Sequence, residues 1–296
     1  MKSNFAYYFI KAALAFLSFF SLPINHRLGT LLGYILFISH SKFRRVSEIN
    51  LSLCFPNLSD TEKQLLLKNS LIELGKSMTE LGIIWTWSID KVLNLVKVNG
   101  IEQAKQAFND GHGIIILTPH LGCWEIVNYA IEQYIPITNL YQNPKLEGVD
   151  KILRQVRTRS GSNLVKANRK GLIQLIKTLK TAKSATGILP DQTPKDKNSG
   201  VFAPLFGQQA LTMTLVNGLI QKSDAKVFIG YAKRLADGKG YQLDLQLADE
   251  NIAHTDPYIA ASALNKSVEK LIQESPEQYL WSYKRFKQVP EGNAPY

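Results

Sequence analysis

Cysteine is nearly absent from this 296-residue chain, with only Cys54 and Cys123. Two thiols cannot build a disulfide framework, and they fit a reducing compartment. Histidine is scarce as well, five in all. Scattered as they are, the histidines and cysteines form no cluster at zinc-ligand spacing, so no metal and no other cofactor is expected. Internal repeats and long flexible linkers are also missing. The 45% hydrophobic and 10% aromatic content rules out a disordered polycation. Acid is missing from two long stretches, residues 1–47 and 151–190. The balance of 35 Lys and Arg against 24 Asp and Glu leaves a net charge of +11. That charge asks for an anionic partner: nucleic acid, a membrane surface or an acidic substrate.

The first acid-free stretch holds Lys2, Lys11, Arg27, Lys42, Arg44 and Arg45 around two apolar runs, Phe5–Leu22 and Leu28–Ile38. A helical bilayer crossing takes roughly 20 apolar residues, so the first run is about long enough and the second too short. Lys11 makes a clean crossing costly, by roughly 2.5–3.5 kcal/mol on insertion scales. A span and a helix lying in the interface therefore both stand. A cleaved signal peptide fits poorly, because Ser18-Phe19-Phe20-Ser21-Leu22 puts bulky residues where a small-x-small site belongs. An ordinary buried hairpin of two helices is the remaining alternative. Basic flanks without acid fit anionic headgroups and the cytoplasmic side. The expectation is a membrane-associating N-terminal segment, residues 1–45, ahead of a catalytic domain, residues 46–296.

The second stretch holds Lys151, Arg154, Arg157, Arg159, Lys166, Arg169, Lys170, Lys177, Lys180 and Lys183. Its early arginines alternate with Ile152, Leu153 and Val156, so one helix face gathers them, and their forks suit phosphate or carboxylate. With no zinc-finger spacing, RRM signature or basic region leading into heptads, nucleic acid is not expected. An acidic substrate or lipid headgroup is.

Ser59-Asp60-Thr61-Glu62 reads as a capping box opening a long helix toward Trp87. Apolar strand segments follow at 96–98, 113–118, 137–141, 185–189, 226–231 and 241–247. Helical patterns alternate with them at 101–108, 124–134, 149–158, 171–182, 211–222 and 256–274. This alternation predicts an α/β fold with a mixed, largely parallel central sheet flanked by helices. Chemistry in such folds gathers beyond the carboxyl ends of the strands.

The run Gly113-Ile114-Ile115-Ile116-Leu117-Thr118-Pro119-His120-Leu121-Gly122-Cys123-Trp124-Glu125 supplies candidates at one such end. His120 falls at the end of a strand and Glu125 in the first turns of the next helix. A carboxylate holding one imidazole nitrogen leaves the other free as a general base. A His–Glu pair that only caps the helix is the plainer alternative. Gly122 permits a tight turn.

The His120-x4-Glu125 element resembles the His-x4-Asp/Glu signature of the glycerolipid acyltransferase superfamily. Within it the chain is most similar to the lipid A biosynthesis acyltransferases, the late lauroyl and myristoyl transferases of Gram-negative bacteria. Asn50-Leu51-Ser52-Leu53-Cys54-Phe55-Pro56, Ala203-Pro204-Leu205-Phe206-Gly207 with Ala210 and Thr212, and Pro276-Glu277-Gln278-Tyr279-Leu280-Trp281 through Lys284-Arg285-Phe286-Lys287 resemble further blocks of that family. The resemblance implies transfer of an acyl chain from acyl carrier protein to a hydroxyl of a phosphorylated lipid A precursor. It implies a bacterial inner membrane location, with the catalytic domain facing the cytoplasm. His120 would deprotonate the acceptor and Glu125 would orient His120. Arg157 matches the family's arginine on the helix after the next strand, with Arg154 and Arg159 as neighbours that could share its role.

Cys123 stands where the family commonly has Asn. A covalent acyl-cysteine is conceivable chemically, but a buried packing thiol is the expected role. Asp191-Gln192-Thr193-Pro194 resembles the family's Asp-Gln or Asp-His element. Asp191 is expected either to support Arg157 or His120, or to form a plain turn. His26, His40 and His254 carry no partner pattern, and Trp281, Tyr283 and Phe286 are expected to pack a carboxyl-terminal helix. The same chemistry on an aminolipid or glycolipid, a thioesterase, and a non-catalytic binder of anionic lipids are the alternatives. An intact His120–Glu125 pair argues against the last.

Overall fold

The computed structural model describes residues 2–144, 147–181 and 184–296. Lys183 of the basic stretch and Ala182, the expected end of one helix, lie outside them. Five helices come first: α1 (Lys2–Ser18), α2 (Leu22–Ile38), α3 (Lys42–Cys54), α4 (Asp60–Ile84) and α5 (Ile89–Leu93). The next elements alternate: β1 (Val96–Asn99), α6 (Ile101–Asn109), β2 (Ile114–Leu117), α7 (Trp124–Glu132), β3 (Thr138–Tyr141), α8 (Glu147–Thr158), β4 (Asn163–Lys166), α9 (Arg169–Lys180) and β5 (Ala185–Ile188). A hairpin of β6 (Gly200–Leu205) and β7 (Gln208–Met213) follows, and then α10 (Leu215–Ser223), β8 (Lys226–Arg234), β9 (Tyr241–Leu247) and α11 (Pro257–Glu274).

The central sheet has the order β1-β9-β8-β2-β5. All its neighbours run parallel except β8 and β9, which matches the mixed, largely parallel sheet expected. A bridge between Ile137 and Ala185 sets the parallel pair β3–β4 beside β5. All four residues of β2 are buried. Ile115 and Leu117 enter the core on one face, and Ile114 and Ile116 that on the other. Burial on both faces is why this strand reads as an unbroken apolar run.

One expectation needs correction. The helix expected from Leu211 begins at Leu215, because residues 211–213 complete β7. Phe206 (φ 50°) and Gly207 (φ 73°) make the hairpin turn there, the conformation of a type I′ loop, whose twist suits the paired strands. Trp281 and Phe286 share a core cluster with Leu264, Val268, Leu271 and Ile272 of α11, the carboxyl-terminal helix, as expected of them. The first apolar run is broken between two helices: α1 stops at Ser18 and α2 begins at Leu22. At 1.5 Å per residue the 17 residues of α1 reach about 25 Å, short of a ~30 Å hydrocarbon core. Among the described residues no helix is long and apolar enough to cross a membrane.

The capping box at α4 forms as expected. Ser59 Oγ accepts the Glu62 N–H, and the Glu62 carboxylate accepts that of Ser59 at 2.8 Å. Helices α1 and α2 both pack on α4. Yet Tyr8, Phe16, Phe19, Leu31, Tyr34, Ile35 and Ile38 keep their side chains exposed, Phe19 at 85%. The contact of α2 with α4 relies on glycine: a Cβ on Gly75 would lie 2.0 Å from the Gly29 carbonyl oxygen. Replacing Gly75 with Val is therefore expected to cost about 1–3 kcal/mol through overpacking. Thermal denaturation reads this as a lowered Tm, and an unchanged Tm would show that α2 does not depend on that contact.

Candidate active site

Strands β2 and β5 are paired in parallel, with Leu117 opposite Ile188. Each strand is followed by a short loop, so His120 and Asp191 leave the sheet edge side by side. The imidazole Nδ1 lies 3.1 Å from both Asp191 oxygens, and the His120 backbone N–H donates to the same carboxylate at 3.1 Å. With Nδ1–H donated to a carboxylate, Nε2 keeps the free lone pair of a base. Asp191 is buried, with only 2% of its surface exposed. Burial pushes its carboxyl up, but the imidazole charge, the two His120 hydrogen bonds and nearby Arg285 outweigh this and hold it below the usual range. Burial works to lower the His120 pKa, yet the Asp191 charge and hydrogen bond, and then the Glu125 charge, raise it above 6.5.

The hydrogen bond expected between Glu125 and the imidazole is thus made by Asp191. Glu125, in the first turn of α7, accepts instead from Trp85 Nε1 at 3.1 Å. It acts on His120 through space. The ring itself is set between two aromatics. Trp124 meets it edge-on at 5.3 Å, and Tyr283 is stacked 20° from parallel at 5.9 Å. Tyr283 was expected only to pack a helix. Its hydroxyl accepts the Thr193 N–H at 2.9 Å, and Asn50 binds the Trp281 and Tyr283 carbonyls at 2.6 and 2.8 Å. The segments at Asn50, Asp191 and Trp281 thereby converge behind His120. No local pattern could have announced contacts between residues so far apart in the chain.

The turn from His120 into α7 is tightly held. Gly122 has φ +59°, and a Cβ there would sit 2.1 Å from the Ala232 carbonyl oxygen. Gly122 N–H donates to the Gln278 carbonyl at 3.1 Å, Cys123 N–H to that of Ala232 at 2.8 Å, and Leu280 N–H to that of His120 at 2.9 Å. Cys123 is buried, and burial together with the Glu80 charge drives its thiol well above the ordinary range. The packing role expected for this thiol agrees with those surroundings.

Beyond the ends of β2, β3 and β5 opens a cleft of about 510 Å³. Glu125, Trp124, Asn128, Gln142, Arg157 and Lys195 share its lining with Leu140, Leu153 and Leu189. The three arginines of α8 and its end part company. Arg157 faces the cleft, its guanidinium 5.5 Å from the Tyr141 ring centre. Arg154 turns to Asp150 at 2.8 Å and to Asn143 at 3.0 Å. Arg159 binds the carbonyls of Trp85 and Trp87 at 2.7 and 2.5 Å, holding the chain just past α4. His26, to which no role was assigned, is buried with Nε2 3.3 Å from Glu80.

Comparison with known proteins identifies the family. Residues 1–288 match the family model described as bacterial lipid A biosynthesis acyltransferase. The chain is 30% identical over 271 residues to the lipid A biosynthesis lauroyltransferase of Escherichia coli K12, covering 91% of this chain and 87% of that one. It is also 30% identical over 278 residues to the palmitoleoyltransferase of the same strain, covering 92% and 88%. A lipid A biosynthesis acyltransferase of Haemophilus influenzae is 29% identical over 279 residues, covering 92% and 87%. With likeness along nearly its whole length, the chain belongs to the bacterial lipid A biosynthesis acyltransferase family.

Proposed function

We propose that the protein moves a fatty acyl chain from acyl carrier protein to a hydroxyl of a phosphorylated lipid A precursor, at the cytoplasmic face of a bacterial inner membrane. The observation that carries this reading is the His120 imidazole, fixed at Nδ1 by buried Asp191 beside a cleft walled by Glu125 and Arg157. Nε2 takes the proton of the acceptor hydroxyl as its oxygen attacks the thioester carbonyl. The tetrahedral intermediate then collapses, the C–S bond breaks, and the carrier thiolate leaves and takes up that proton. Asp191 orients the ring, and Glu125 adds its charge to the stabilisation of the imidazolium. Arg157 suits a phosphate or sugar substituent of the acceptor.

Residues 1–45 serve as the membrane-contacting part and 46–296 as the catalytic part. The exposed aromatic and aliphatic side chains of α1 and α2, beside the acid-free basic flanks, support shallow interfacial docking. The basic residues of α8 and α9 suit an acidic carrier protein.

Mass spectrometry of lipid A from cells lacking the protein tests the reading. Loss of one acyl chain is expected, restored by wild type and not by His120→Ala, and the mass difference gives the chain length. Unchanged lipid A would move the acceptor elsewhere, and acyl release without transfer would make the protein a thioesterase.

Proton abstraction needs neutral His120, whose pKa is raised above the ordinary imidazole value because the Asp191 and Glu125 charges outweigh burial, so the acid limb of kcat/KM is expected on the alkaline side of a free imidazole's. Asp191→Asn removes the charge that raises it, moving that limb to lower pH while kcat falls by about 10²–10⁴. A limb that stays in place would separate Asp191 from the base. Arg157→Ala is expected to raise KM for the phosphorylated acceptor by about tenfold or more. A KM unchanged in initial-rate kinetics would remove Arg157 from acceptor binding.

A further inference from the structure

A buried polar cluster outside the His120 site lies directly beneath the turn that carries it. Arg234, the last residue of β8, is 4% exposed, and Glu80 in α4 is 2% exposed. They form a two-pronged ion pair, Nη2–Oε1 at 2.6 Å and Nε–Oε2 at 2.9 Å. Glu80 Oε2 is also met by the Tyr241 hydroxyl at 2.9 Å and His26 Nε2 at 3.3 Å. Arg234 Nη1 lies 3.5 Å from Glu73. A buried pair of this kind contributes little net stability compared with apolar residues of the same shape, because both charges must be stripped of water. Another use shows in what else Arg234 touches.

Arg234 spends a further hydrogen bond on the Gly122 carbonyl, Nη2 to O at 2.9 Å. The same residue's backbone is paired both ways with the Gln278 side chain, at 2.9 and 3.1 Å, and the Gln278 carbonyl accepts the Gly122 N–H. Both sides of the Gly122 main chain thus end on Arg234, one directly and one through Gln278. Gly122 is the left-handed residue at which the chain turns from His120 toward Glu125. Its alternatives are restricted by contact with Ala232, two residues before Arg234.

We propose that the Glu80–Arg234 pair is a positioning device for the acyl-transfer site, acting through the Gly122 carbonyl to set where His120 and Glu125 stand relative to one another. The inference rests on the reading of His120 as the base. Arg234 touches neither reacting group, so its removal acts on turnover and leaves binding of the acceptor in the cleft intact. Lysine at 234 keeps a positive charge for Glu80 but has no planar fork to reach Glu80 and Gly122 together.

The test is initial-rate kinetics and amide hydrogen exchange on the full chain, comparing wild type, His120→Ala and Arg234→Lys. Arg234→Lys is expected to lower kcat by about 10–100-fold, the scale of small displacements at a reacting centre. KM for the acceptor should stay within about twofold, and exchange should rise in residues 120–125 while α11 keeps its protection. A folded Arg234→Lys with wild-type kcat, in a preparation where His120→Ala is inactive, overturns the positioning role. Full activity of His120→Ala instead overturns the reading of the site, and faster exchange confined to 120–125 still decides the positioning. If Arg234→Lys does not fold, Glu80→Met/Arg234→Met, which removes both charges together, is read the same way. Failure of both variants to fold makes the pair a folding element and overturns the proposal.

Discussion

The register between β2 and β5 is the constraint from which the rest of the site follows. Ile114, Ile115, Ile116 and Leu117 stand opposite Ala185, Thr186, Gly187 and Ile188, and the two following loops deliver His120 and Asp191 to the same point. A slip of one residue would carry Asp191 about 3.3 Å along the strand and reverse the face on which its loop leaves the sheet. A slip of two keeps the faces but displaces Asp191 by about 6.6 Å, beyond any hydrogen bond to the ring. Neighbouring β3 helps to prevent both. Ala185 N–H donates to the Pro136 carbonyl at 2.7 Å, and Gly187 N–H to Asn139 Oδ1 at 2.8 Å. A backbone ladder thus fixes a side-chain pair that has little freedom of its own.

The loops that leave this ladder are held by charge. Glu80 stays ionised in the interior, its carboxyl pKa lowered to about 2: burial opposes the shift, and Arg234 and His26 overcome it. Five residues further along the chain, Trp85 gives Glu125 its indole hydrogen bond. Helix α4 and its end therefore contact both edges of the His120–Glu125 turn, and α1 and α2 pack on that same helix. The helices with the most exposed apolar side chains are mechanically continuous with the site, across one 25-residue helix.

How much of this was legible depended on distance along the chain. The β2 run, the capping box of α4 and most of the alternation of strands and helices are local patterns and appeared where periodicity put them, while β4 was covered by no expected segment. His120 at a strand end was legible for the same reason. The hairpin β6–β7 was hidden because Leu211-Thr212-Met213 suits a helix as well as a strand, and only pairing with residues 200–202 decides it. The partner of His120 was hidden because Glu125 lies five residues away and Asp191 seventy-one, while spatial proximity is set by the β2–β5 ladder. Arg157 could not be told from Arg154 and Arg159 by spacing. Their difference lies in Asp150 and in the carbonyls of Trp85 and Trp87, neither of which the arginine pattern encodes.

Two carboxylates around one imidazole differ in ways that suit different tasks. Asp191 is buried and bound to the His120 ring and backbone together, so it cannot follow the ring if the ring moves, and it fixes the tautomer. Glu125 is half-buried and lines the cleft. With one oxygen on Trp85, it keeps capacity to accept a hydrogen bond from a bound hydroxyl. In the mechanism we propose, His120 gains a proton in the transition state, and such a base benefits from a rigid partner for orientation and from a second negative charge for stabilisation. Combining both in one residue would force that residue to be buried against the ring and open to the acceptor at once. Dividing them between the loop after β5 and α7 removes the conflict, and Gly122 is the turn that makes the division possible.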